Sequence, residues 1–465
     1  MSALGDWLAL VASVLAYGLV LWALHKRGLL GPERSLSLFG PALMWKTRRG
    51  RHFLDRAGRW ATFWNLFADL GIALALLAMV SMVVLLTWEA VLATTIPSAS
   101  APQPAEALGL PGINPYIPLG YGIVALVIGV GLHELCHGVV ARANKIPVKT
   151  LGILFLVVPI GAFVEQDEES MNRAPARRRD RVAAAGVMAN FGLAVVFFLI
   201  LSLVMSTSVH PAAQGVPVAS VFPGSPAQNG TLSAGDLIMS LNGTSTPDGQ
   251  ALRAALAQAR PGETVPITWF DGATQTFRHG LVTLSAESHY VSGLAGNTTA
   301  ERQAFLGITE YPLTPQAEWQ LLRDPVGPLS SPLATGTLTS SNPFQGGLLF
   351  LVLPFLGQQP IVGDQVGFFH VSGPLASLPG GGVWYLVNGL YWLVWMNLLL
   401  GLSNSLPAVP FDGGYLFRDV VGGVVRRARS RWTRAQVDAA VGRLSTLATL
   451  LILFLILWQF VGPHL

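Results

Sequence analysis

Long apolar runs separated by short charged loops set the pattern of this chain. Six runs reach the roughly 20 residues that cross a bilayer: Trp7–Leu24, Phe63–Thr87, Ile117–Val140, Val182–Met205, Val383–Leu406 and Leu444–Phe460. Val148–Val164 is apolar and β-leaning, with Pro159-Ile160-Gly161 at its middle. It is too short to cross twice, so it predicts a membrane-dipping hairpin buried against protein. Leu348–Leu356 is too short to span and predicts an interfacial or re-entrant segment. Val216–Leu284 has a different rhythm. Apolar and polar residues alternate there between turns at Pro223-Gly224-Ser225-Pro226, Ala234-Gly235-Asp236 and Asn242-Gly243, and a helix is predicted from Asp248 to Ala259.

These periodicities predict a polytopic α-helical membrane protein with about six transmembrane helices and one small extramembrane α+β domain. The division is 1–115, two accessory N-terminal spans; 116–207, the first half of a membrane core; 214–285, the β-rich domain; 286–380, an external linker; 381–425, the second half of the core; and 426–465, a last span.

Composition sharpens this picture. Of 465 residues, 51% are hydrophobic and 12% charged, and the mean hydropathy is +0.51. That is too apolar for an ordinary soluble protein. The net charge of +4 does not point to nucleic acid, because the basic residues sit in short loops between spans. They orient the chain instead: Lys26–Arg59, Arg173–Arg181 and Arg418–Arg434 are expected in the cytoplasm. Both termini and the β-rich domain are then outside. Met1–Leu24 lacks a basic leader and a cleavage site, so it is expected to be a retained span. The one cysteine, Cys136, excludes an internal disulfide and a thiolate metal cluster.

The third span contains His133-Glu134-Leu135-Cys136-His137, an H-E-x-x-H sequence. On a helix, residues four apart share a face, so His133 and His137 can hold one metal ion. Glu134 sits one step round, where a carboxylate can take a proton from water. Ionisable groups at membrane depth are costly and usually functional. A catalytic zinc site needs a third protein ligand, for which two sets of candidates exist. Glu165, Asp167, Glu168 and Glu169 form a crowded acidic loop followed by arginines, and read better as a solvated face. Asp412 stands alone at the end of the fifth span, behind Pro407 and Pro410 and before Gly413-Gly414. The prolines break the helix and the glycines permit a tight turn, which aims one carboxylate inward.

H-E-x-x-H, Gly186-x-x-x-Asn190 and Asn404-x-x-Pro407-x-x-x-x-Asp412-Gly413, with the β-rich domain between them, resemble the site-2 protease family of intramembrane zinc metalloproteases. The inserted domain itself resembles a PDZ domain of the bacterial protease-associated type. The resemblance implies one Zn2+ per chain, held by His133, His137 and Asp412, with Glu134 as catalytic acid and base. It implies that Asn190 and Asn404 lie near the site, where they steady substrate or the developing oxyanion, and that the Pro159 hairpin pairs with an unwound substrate. It also implies single-span membrane-protein substrates and the lipid bilayer as environment, and leaves two roles for the PDZ-like domain, binding a peptide ligand by its C-terminus or screening bulky ectodomains from the site. Two positions depart from the family pattern, Val187 and Phe411, and neither removes a chemical group.

Two other function classes fit part of the pattern. Intramembrane His, Glu and Asp can form a transport path, but the chain shows no inverted repeat and no second polar site. An inactive scaffold using the PDZ-like domain does not account for a complete ligand set.

Overall fold

In the computed structural model of the chain, five helices among the described residues are long and apolar enough to cross a membrane. The structure describes residues 3–31, 34–98, 101–107, 109–156, 158–290, 303–325, 343–356 and 360–464. The spans lie in α3 (Ala61–Ala93), α4 (Leu119–Ala143), α6 (Ala176–Thr207), α11 (Gly382–Asn404) and α13 (Arg434–Val461). The expected first span falls in α1 (Ala3–Lys26). Leu77 and Val80 on α3 are 65% and 63% exposed. Apolar side chains bared to that degree along a helix fit lipid as the solvent.

The chain divides into two units, residues 1–195 with 393–465, and residues 196–392. The first unit contains a four-stranded antiparallel sheet in the order β1 (Leu36–Phe39), β2 (Ala42–Thr47), β3 (Val148–Leu156), β4 (Val158–Gln166). β3 and β4 are the predicted hairpin. β1 and β2 come from the basic segment expected to be a plain cytoplasmic loop, and β2 pairs with β3 from Leu43↔Phe155 to Thr47↔Leu151. The N-terminal region is therefore built into the core sheet rather than set apart from it. Next to it, α2 (Arg51–Ala57) buries Leu54 against Val139, Val140 and Val164.

Two helices start earlier than their apolar runs, for electrostatic reasons. α6 begins at Ala176 so that Arg177 and Arg181 meet Asp69 of α3 and Arg179 meets Asp419 of α12 (Asp412–Ala428). α13 begins at Arg434 on a capping box between Thr433 and Gln436. Short α5 (Glu168–Arg173) is capped by Asp167, which accepts from Ser170 N at 2.9 Å.

In the second unit, the sheet order is β10 (Thr276–Thr283), β9 (Thr264–Asp271), β7 (Leu237–Leu241), β6 (Val216–Val221), β13 (Ile308–Glu310), with β8 (Thr244–Ser245) paired to β7. α7 (Pro226–Asn229) and α8 (Gly249–Gln258) cover it, α8 starting as predicted on an Asp248 cap to Ala251 N. Val218, Ile238, Leu252, Ile267 and Trp269 fill the core. The expected boundary at residue 285 falls short of the sheet. β11 (Ser285–Ala286) pairs with β12 (Ala304–Phe305), and β13 pairs with β6. Two further helices, α9 (Pro315–Arg323) and α10 (Pro343–Val352), and β5 (Val209–Pro211) paired to β14 (Phe369–Val371), complete this unit. α10 occupies the stretch expected to be interfacial or re-entrant; Leu349 and Phe350 are buried, with Phe350 against Phe198 and Tyr391.

Candidate metal centre

Residues from α4, β4, α6 and α12 meet around one point in the first unit. His133 and His137 are each 6% exposed, one turn apart on α4, with ring centroids 4.7 Å apart. α4 then ends in a Schellman motif: Ile146 N donates to Ala141 O and Lys145 N to Arg142 O, with Lys145 at φ +64°. This reversal sends the chain straight into β3, and β4 returns alongside α4. As a result Val164 N donates to Glu134 Oε2 at 3.2 Å.

Asp412 arrives from the other direction. α11 stops at Asn404, residues 405–411 run without helix, and α12 starts at Asp412. A Cβ on Gly413 would come within 2.5 Å of Leu406 O, and one on Gly414 within 2.7 Å of Ala408 O. The glycines therefore serve close backbone approach, not the left-handed conformation that a tight turn would need. Asp412 Oδ2 lies 3.1 Å from His133 Nε2 and 3.2 Å from His137 Nε2, and the two Nε2 atoms are 3.1 Å apart.

These three atoms fit a zinc ion. A tetrahedral cation with bonds of about 2.05 Å holds its ligand atoms about 3.3 Å apart. Asp412 Oδ2 is buried and lacks a hydrogen-bond partner among the described residues, as a ligand oxygen awaiting a cation would be. The far nitrogens are oriented. His137 Nδ1 donates to Val182 O at 2.6 Å, which leaves Nε2 as the lone-pair atom. His133 Nδ1 lies 3.0 Å from the side-chain amide of Asn190, a residue with no exposed surface. With His133 Nε2 on a metal, Nδ1 carries the proton and Asn190 presents its oxygen. α6 must come close for both contacts, and Gly186 permits it. A Cβ there would lie 2.5 Å from His133 Nε2 and closer still to His137 Nε2.

The other expected residues have contacts of their own, and Glu168 lines the cavity that opens onto this centre. Asn404 Nδ2 donates to Leu400 O of its own helix at 3.0 Å. Glu165 accepts from the Thr150 hydroxyl, Asp167 caps α5 and pairs with Lys149, and Glu169 pairs with Arg173. Val182, whose carbonyl fixes the His137 tautomer, had no sequence signal. Gly186 had one, its place in Gly-x-x-x-Asn.

A cavity of about 720 Å³ opens onto this centre, lined by Glu134, His137, Asp412, Gln166, Arg179 and Asp419 among others. Its polar walls allow water to reach a site set among apolar helices.

Residues 121–449 match the model of Peptidase family M50. An uncharacterized protein of Methanocaldococcus jannaschii is 25% identical over 331 residues, 70% of this chain and 62% of its own length. A Clostridium perfringens protein named "Putative zinc metalloprotease" is 25% identical over 320 residues, 66% of this chain and 84% of its own. A solved PDZ domain of an SdrC-like protein from Listeria monocytogenes is 26% identical, covering 21% of this chain and 88% of that domain at a TM-score of 0.17.

Proposed function

Because this chain belongs to peptidase family M50, we propose that it is an intramembrane zinc metalloprotease of the site-2 type, hydrolysing peptide bonds within or near the transmembrane segments of single-span membrane proteins. One observation carries this reading: His133, His137 and Asp412, from two distant helices, converge to within 4.8 Å beside Glu134.

His133, His137 and Asp412 would hold a zinc ion, which when bound would supply the Lewis acidity that polarises a scissile carbonyl and would bring the pKa of a water down to about 7. Glu134, on the cavity wall, takes the proton of the attacking water and returns it to the leaving amine. Val164 N holds one oxygen of that carboxylate in place. Asn190 acts through His133, by setting its tautomer. Asn404 uses one N–H of its amide on Leu400 O and keeps the second to offer an oxyanion.

The basic helix ends and loops that carry Arg142, Arg177, Arg179, Arg181 and Arg426–Arg434 favour a centre toward the cytoplasm of a multi-pass membrane protein, with the PDZ-like domain outside. A helical substrate hides its peptide bonds, so it must unwind to be cut. An edge strand beside Glu134 replaces the hydrogen bonds that it loses.

The test uses purified full-length protein and a single-span reporter. Glu134→Gln should retain metal and lose cleavage, while Asp412→Ala should lose both. Cleavage at the wild-type rate by Glu134→Gln would end this reading.

A further inference from the structure

Resting on that reading, we propose that the N-terminal hairpin β1–β2, locked by the hydroxyl of Tyr17, confines substrate to the outer edge of β4, so that Tyr17 is a positioning residue for the scissile bond. The open edges of the membrane-associated sheet decide where an extended segment can be added. A bare β3–β4 hairpin would offer two edges, with Glu134 beside one of them. Here β2 covers the outer edge of β3 over five residue pairs. The sheet's far edge becomes the four-residue β1, about 14 Å from β4 at the usual strand spacing.

The edge that remains faces the chemistry. Val164 pairs with Leu151 of β3, yet its N–H points away from β3, to Glu134. The register from Val164↔Leu151 to Ala162↔Ile153 is unbroken, so Ala162 presents its backbone groups on the same outer side. Among the described residues no strand pairs with that side. A substrate strand added there runs past Ala162 toward Glu134.

Tyr17 holds the arrangement at its tip. Its hydroxyl, from α1, accepts from Leu43 N at 2.9 Å and donates to Pro41 O or Phe155 O, each at 2.9 Å. One oxygen thereby ties α1 to the β1–β2 turn, to β2 and to β3. The first accessory helix thus holds β2 and β3, the strands that back the one on which substrate is laid.

The experiment uses the full-length chain in lipid nanodiscs, with Tyr17→Phe, which keeps the ring and removes only the hydroxyl. Loss of one such anchor should raise KM for the single-span reporter about fivefold, with kcat within about twofold and metal content unchanged. Mass spectrometry of the products should show cuts at neighbouring bonds beside the main one. A second measurement is independent of turnover. In a Cys136→Ser, Ala162→Cys background, single cysteines scanned along the reporter should crosslink at alternate positions, and Tyr17→Phe should blur that alternation. An unchanged KM, a single cut site and a sharp alternation in Tyr17→Phe would overturn the role of Tyr17 and leave the protease intact. Absence of alternation in the Tyr17-containing protein, with Glu134-dependent cleavage preserved, would overturn the β4 edge itself. Cleavage independent of Glu134 would overturn the protease reading from which both follow.

Discussion

Gly186→Ala should empty the metal centre without touching a ligand. The added methyl would sit 2.5 Å from His133 Nε2, whereas carbon prefers about 3.5 Å or more from a non-bonded neighbour. The imidazole must therefore retreat by about 1 Å, or α6 must. The three ligand atoms are 3.1–3.2 Å from one another, already close for a tetrahedral ion, and metal bonds tolerate only about 0.2 Å of error. One ligand bond is thus lost or α6 is strained by about 1–3 kcal/mol, and zinc affinity should fall on the order of 100-fold. Gly192→Ala, on the same helix, is the matched control, because a Cβ there meets nothing within 4 Å. Zinc affinity is read by competition with a chromophoric chelator, and stoichiometry by elemental analysis. An affinity for Gly186→Ala within about threefold of Gly192→Ala would refute the claim that this glycine makes room for the ion.

Asn190→Asp keeps an acceptor for His133 Nδ1 and should keep zinc, whereas Asn190→Ala should weaken zinc binding about 10- to 100-fold in the same competition assay; equal affinities would show that the amide contact does not set the tautomer. In the second unit, burial pushes the Glu318 carboxyl up to about 7, against the Ile361 N–H that favours its charged form. A folded value above the unfolded 4.5 means that stability is lost as pH rises from about 4.5 through 7, about 3 kcal/mol in all. Glu318→Gln should therefore melt later than wild type at pH 8 and alike at pH 4, and identical melting at pH 8 would refute this. Excising residues 216–310, the full sheet, should relieve discrimination between a reporter bearing a bulky ectodomain and a trimmed one, if the PDZ-like domain screens by size; equal cutting of both reporters before and after excision would exclude screening.

The metal centre was legible because most of its signals are local. H-E-x-x-H fixes two imidazoles to one face by helix geometry alone, and an isolated Asp behind two prolines marks a helix end. What sequence did not show is non-local. Leu36-Ser37-Leu38-Phe39 and Gly40-Pro41 do alternate and turn, but among nine basic residues they read as a loop. They pair with the adjacent β2, and only the pairing of β2 with Leu151–Phe155, over a hundred residues away, anchors the hairpin in a sheet. Likewise Ile308–Glu310 joins the β-rich sheet beside Val218–Val221 after the alternation has stopped. Asn404 carries a weaker signal, since an amide near a helix end also bonds the turn before it, as this one does to Leu400 O.

Hydrolysis among apolar helices has to admit water without losing the helix packing that positions the ligands, and the charges on α6 meet both demands. Arg179 forms two bonds to Asp419 of α12, at 2.8 and 2.9 Å, and Arg181 forms two to Asp69 of α3, both 2.7 Å. Paired, two-pronged contacts of this kind fix helix orientation as well as distance. They tie α6, with Val182, Gly186 and Asn190, to α3 and, through Arg179, to the helix that begins with Asp412. Arg179 and Asp419 also line the cavity that reaches the metal centre, so the groups that clamp the helices keep its approach wet. The early start of α6, six residues before its apolar run, thus supplies Arg179, which braces the helix of the third ligand and adds to the polar lining of the cavity.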